Sequence, residues 1–174
     1  MRKSLVHPFI HLILSGLLIV LSSCEKKKDI HEADLIGTWD IGQPAVDIKV
    51  GPISLLKFLE TSLMYTEEEA QDYVDQLTAE YIGMGGGTIT FNADYSYLIL
   101  NTDLEEGGDW SLEGDKLYLT NTDGVLENNP LIIESLNSSS AFFVWEMDYE
   151  VETGEGIVNS FTATIIIELD LSKQ

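Results

Sequence analysis

From residue 88 onward, apolar and polar residues alternate with a period of two, the spacing of strands that bury one face. The pattern is clearest near the end of the chain. Phe143, Trp145, Met147, Tyr149 and Val151 share one face of a strand predicted over 141–151. Phe161, Ala163, Ile165, Ile167, Leu169 and Leu171 share a face over 157–171, opposite Thr162, Thr164, Ile166, Glu168 and Asp170. One apolar side and one largely polar side read as an antiparallel sheet covered on a single face. Shorter runs predict strands at 88–92, 95–100, 109–113, 116–120 and 131–136. Turn residues punctuate them: Asn92-Ala93-Asp94, Glu113-Gly114-Asp115, Asn121-Thr122-Asp123-Gly124, and Gly154 with Gly156. Candidate strands at 37–41 and 46–50 bring the total to eight or nine.

Between them the period changes. Thr66 with Glu69 three residues on forms a capping box. Ala70, Tyr73, Val74, Leu77 and Tyr81 then recur at helical spacing, and Gly83 offers a C-cap. A shorter helix is predicted behind Pro52, over 54–63, with Leu55, Leu56, Leu59 and Leu63 as its apolar set. The expected fold is mainly β: an up-and-down antiparallel barrel of eight or nine strands with a helical insertion near 54–82. Closure is expected because it removes exposed strand edges.

The first residues follow different rules. Arg2 and Lys3 precede an apolar run over 9–21, about 13 residues, short of the roughly 20 that span a membrane as a helix. Leu21-Ser22-Ser23-Cys24 follows, where an ordinary secretory signal would favour small residues such as alanine. This ending resembles the lipobox of bacterial lipoproteins, which are cut before the cysteine and acylated on it. The resemblance implies a signal peptide over 1–23, lipid attachment at Cys24 and a lipidated tether over 24–33. It also implies an outer-membrane lipoprotein, on the periplasmic or the surface face, whose membrane partner is reached through the acyl chains. Cys24 is the only cysteine, so no disulfide forms within the chain and the domain over 34–174 must be held by its core.

Charge narrows the partners. Thirty acidic residues against nine basic ones give a net charge of −21, which repels nucleic acid and anionic headgroups. A well-solvated surface accounts for most of these acids.

Catalytic chemistry is not visible. His7 and His11 fall in the predicted signal and His31 in the tether, so no nucleophile has a buried histidine to activate it. Zinc spacings are lacking, and no motif selects a pair of carboxylates. Gly83-Met84-Gly85-Gly86-Gly87 lacks the Lys-Ser/Thr ending of a phosphate loop and precedes a strand; a flexible joint is expected there. Oxygen-bearing side chains cluster at Asn101, Asp103, Glu105, Glu106 and Asp109, and at Asn121, Asp123, Glu127 and Asn128, without EF-hand spacing. Solvated turns are the expectation, with no catalytic activity, no cofactor and no metal site.

Leu35-Ile36-Gly37-Thr38-Trp39 resembles the Gly-x-Trp opening of lipocalins. Together with Thr88-Ile89-Thr90-Phe91-Asn92-Ala93-Asp94 and the run from Gly108-Asp109-Trp110 to Asp115-Lys116-Leu117, it makes the chain similar to lipocalin-like lipoproteins of Bacteroidetes. The resemblance implies a barrel whose cavity holds a small apolar molecule. Trp39 would plug the narrow end, and Gly37 would permit close backbone approach. Such proteins often stack an arginine from a late strand over the tryptophan, yet this chain has no arginine after Arg2. Trp39, Trp110, Trp145 and the tyrosines either line a pocket or fill a core, and no ligand-binding residue is assigned. The expected function is binding of a small apolar ligand at the envelope. The alternative is a structural or interaction module that docks another envelope protein through its acidic face or its helix stripe.

Overall fold

The computed structural model describes residues 30–83, 85–102, 105–121, 129–152 and 160–174. Cys24, the predicted signal, and the predicted turns at Thr122-Asp123-Gly124 and at Gly154 and Gly156 lie outside these residues.

A four-residue helix, α1 (Glu32–Leu35), leads into β1 (Gly37–Ile41) and β2 (Ala45–Val50). A two-residue strand β3 (Ile53–Ser54) precedes α2 (Leu55–Ser62) and α3 (Glu67–Ile82). Seven strands follow: β4 (Thr88–Phe91), β5 (Ser96–Leu100), β6 (Glu105–Glu113), β7 (Lys116–Asn121), β8 (Leu131–Leu136), β9 (Ser140–Glu152) and β10 (Ser160–Lys173). From β4 to β10 each strand pairs antiparallel with the next. β1 pairs with β4 on one side and β10 on the other, closing an eight-strand barrel. The expected mainly β barrel with a helical insertion is the observed fold.

The helices form where local chemistry marks them. Ser54 caps α2 by accepting from the Lys57 backbone N–H at 3.3 Å. Thr66 and Glu69 make both halves of the capping box at the start of α3. Gly83 caps its C-terminus in the right-handed region, so no left-handed glycine turn is used there.

The last hairpin reaches beyond the barrel. β9 and β10 pair along their whole length, from Ser160↔Glu152 to Ser172↔Ser140. β8 covers only the first part of β9, ending at Trp145, and β1 pairs only with the last residues of β10. Past that point β10 pairs with β2, from Glu168↔Ala45 to Thr164↔Lys49. β1 and β2 thus act as one long strand along β10, with one extra residue between Ile41↔Leu171 and Ala45↔Glu168. That bulge bends the strand out of the barrel. It sits at Gly42, whose N–H donates to Asp170 O at 2.8 Å and where a Cβ would lie 2.9 Å from that same oxygen.

Two cores result. The barrel core includes Leu35, Trp39, Phe91, Trp110, Leu117, Ile133 and Phe143. The second lies between the projecting sheet and the helix pair, around Ile48, Leu55, Leu59, Ala70, Ile165 and Ile167. Phe58 of α2 packs on Phe161 of β10 with ring centres 4.7 Å apart. The whole α3 stripe, from Ala70 through Tyr73, Val74 and Leu77 to Tyr81, is spent on this core. It is therefore not a bare docking face.

Candidate functional site

Side chains alternate in and out along each barrel strand, so the interior is assembled from every second residue. Its lower half is occupied by buried side chains, among them Leu35, Trp39, Phe91 and Trp110. Trp39 on β1 is fully buried, and its indole N–H donates to Leu35 O at 2.7 Å. α1 therefore lies across this end of the barrel, with Leu35 buried beneath it. Two further bonds secure the helix. Lys173 Nζ donates to Asp34 O at 3.0 Å, and Tyr95 Oη donates to Glu32 at 3.1 Å. The bond to Glu32 pushes the Tyr95 phenol above its ordinary range. On the α1 side of Trp39, where Phe91 pairs with Gly37, Phe91 and Trp110 meet edge to face at 5.8 Å, and the Trp110 N–H donates to Asn92 O at 3.2 Å.

Gly37, Trp39 and Lys173 form one group. Lys173 Nζ sits 4.9 Å from the Trp39 ring centre, a cation–π arrangement. A lysine from the last strand thus lies over the indole. Gly37 has a φ of +137°, and a Cβ there would lie 2.6 Å from Lys173 Cε. Glycine both accepts that backbone conformation and leaves room for the lysine stem.

The upper half is open. A partly enclosed cavity of about 160 Å³ lies there, walled by Ile41, Ile89, Ile99, Leu119, Leu131, Phe143 and Leu169, among others. Four polar residues interrupt the apolar wall: Tyr97, Asn101, Glu106 and Asn129. Tyr97 Oη donates to Glu106 Oε1 at 3.3 Å. Trp145 lines the rim and donates its N–H to Asn129 O at 3.1 Å. Asn101 donates to Gly83 O at 2.9 Å and to Gly85 O at 3.3 Å.

The segment expected to form a joint after α3 is also bonded to β1. Gly86 N–H donates to Ile41 O at 3.1 Å, and Ile41 N–H donates to Gly87 O at 2.8 Å. A Cβ on Gly85 would lie 2.7 Å from Pro44, and one on Gly87 would collide with Leu100 O. Gly85 and Gly87 thus stand where the neighbouring chain leaves no room for a side chain; Met84 lies outside the described residues.

Glu106 is the residue that strand prediction missed. The predicted strand began at Asp109 and left Glu105 and Glu106 in a loop. β6 in fact begins at Glu105, and Glu106 pairs with Ile99 inside the barrel. Extending the alternation back from Trp110 through Gly108 would have reached it. The pair of glycines hid the signal, because Gly108 is selected by closeness to β7, where a Cβ would strike Thr120 O.

Of the acidic loops, Asp103, Asp123, Glu127 and Asn128 lie outside the described residues. Among the described residues, no three His, Cys, Asp or Glu side chains gather as a metal site requires. No helix among them is long and apolar enough to cross a membrane. Compared with protein-family models, with curated proteins and with solved structures, the chain matches none.

Proposed function

We infer that this chain is a lipid-anchored envelope lipoprotein of lipocalin-like type whose barrel binds a small apolar molecule. The observation that carries the reading is the cavity of about 160 Å³ above Trp39. Packed interiors hold few voids larger than a water, so an apolar hollow of this size in a natural barrel speaks for an occupant. It is comparable to the roughly 150 Å³ cavity known to take up benzene, which sets the scale of the ligand. The lower end supports the reading too, since α1, Trp39 and Lys173 shut it and leave entry to the upper rim.

The anchor follows from Cys24. More than one acyl chain there would hold the protein at the membrane without any membrane-binding surface on the barrel. The test has two arms. Mass spectrometry of small molecules extracted from the purified full-length chain should find a co-purifying apolar compound, reduced when Leu119→Trp fills the cavity. Labelled palmitate should enter the wild type and not Cys24→Ser. An unlabelled wild type would remove the anchor. Absence of any compound, together with no uptake of added toluene, would remove the carrier.

A further inference from the structure

Glu106 is the one charged side chain among the described residues lining the cavity. Its place is dictated by register, since it pairs across the ladder with Ile99, which lines the same space. Tyr97 engages one carboxylate oxygen at 3.3 Å. A carboxylate carries two oxygens and can accept several hydrogen bonds, so one bond from Tyr97 leaves acceptor capacity on a residue that lines the hollow. No lysine, arginine or histidine stands among the described lining residues to balance it.

Each kind of head group meets this wall differently. A carboxylate ligand would set like charges together between apolar walls, where poor screening strengthens repulsion. A pure hydrocarbon would strip water from Glu106 and return no hydrogen bond, which is costly. A protonated amine would donate to Glu106, and such charge-assisted bonds are about twice as strong as neutral ones. The net charge of −21 also draws cations toward the protein.

We propose that the cavity selects a compact apolar amine, a single-ring or similarly small body bearing one protonated amino group, with Glu106 accepting from the nitrogen. This rests on the carrier reading above and goes further by naming the head group. The test compares four probes with one body: benzylamine, benzyl alcohol, toluene and benzoate. Binding to the purified full-length chain is read by ligand-observed NMR. Benzylamine should bind about tenfold tighter than toluene, the scale of one hydrogen bond to a charged group. Benzoate should bind most weakly, a comparison that needs no variant. Glu106→Gln should erase the preference for the amine, with an unfolding curve showing that the variant is folded. Toluene binding as tightly as benzylamine would overturn the proposal and leave the carrier reading standing. A preference that survives Glu106→Gln would overturn it too, tracing selection to the overall charge. If none of the four binds, both readings fall.

Discussion

Lys173 holds its ammonium 4.9 Å from the centre of the Trp39 indole while donating to the Asp34 carbonyl at 3.0 Å. One side chain near the end of the chain thereby joins the first barrel strand to the helix that shuts the barrel. Lys173→Ala should cost about 1–2 kcal/mol, the sum of a modest cation–π contact and one hydrogen bond. Lys173→Arg should keep most of it, because a guanidinium also stacks on indole. Urea unfolding midpoints measure both; an unchanged midpoint for the alanine variant would show that the contact contributes nothing.

Gly37 lies under the same lysine. Gly37→Ala meets two obstacles, a φ of +137° and a Cβ placed 2.6 Å from Lys173 Cε. A loss of about 1–3 kcal/mol is expected from the backbone alone. Repeating the substitution in a Lys173→Ala background should recover the steric part and leave the backbone part. A double-mutant cycle reads that coupling, and strict additivity would show that the two positions do not interact.

Trp39 is fully buried beneath α1. Trp39→Ala should destabilise by about 3–5 kcal/mol, the range for large aromatic truncations in cores. Thermal or urea unfolding checks this, and a loss under 1 kcal/mol would mean that the lower end collapses to fill the gap.

The cavity can be filled from its own wall. Leu119 is half-buried and lines it, so Leu119→Trp should occupy the space and abolish toluene uptake. Overpacking should cost about 1–3 kcal/mol of stability. Retained toluene binding in a folded variant would place the binding site elsewhere.

Acid should weaken the start of α3. The Glu69 carboxyl accepts from the Thr66 backbone N–H at 2.9 Å and from its hydroxyl at 2.8 Å, which hold its pKa below the ordinary glutamate range. A pKa lowered by folding contributes stability that is present above the unfolded value and lost as pH falls through the folded one. The advantage of wild type over Glu69→Ala should therefore shrink on acidification below the ordinary glutamate range. Thr66→Ala should cost about 1 kcal/mol at neutral pH. Paired unfolding curves across pH test the sign; an advantage that grows in acid would contradict it.

Alternation and capping chemistry made much of the fold legible. The β8 bounds match the predicted strand, and Thr66 with Glu69 begins α3 as its spacing requires. The apolar faces of β9 and β10 are the predicted ones, because side-chain direction in a strand is a local property. Their division was not legible. Phe143 and Leu171 face the barrel lumen, whereas Ile165 and Ile167 meet the helices. Which neighbour covers each half depends on where β8 and β1 stop pairing.

Local sequence determined most of the strands and the capped helices, since period and caps act over a few neighbouring residues. Tertiary structure alone decided that Lys173 covers Trp39, 134 positions away, that α1 shuts one end, and that Glu106 faces the cavity. Those outcomes follow from ladder register and barrel closure, which join residues far apart in the chain and leave no periodic trace in its sequence.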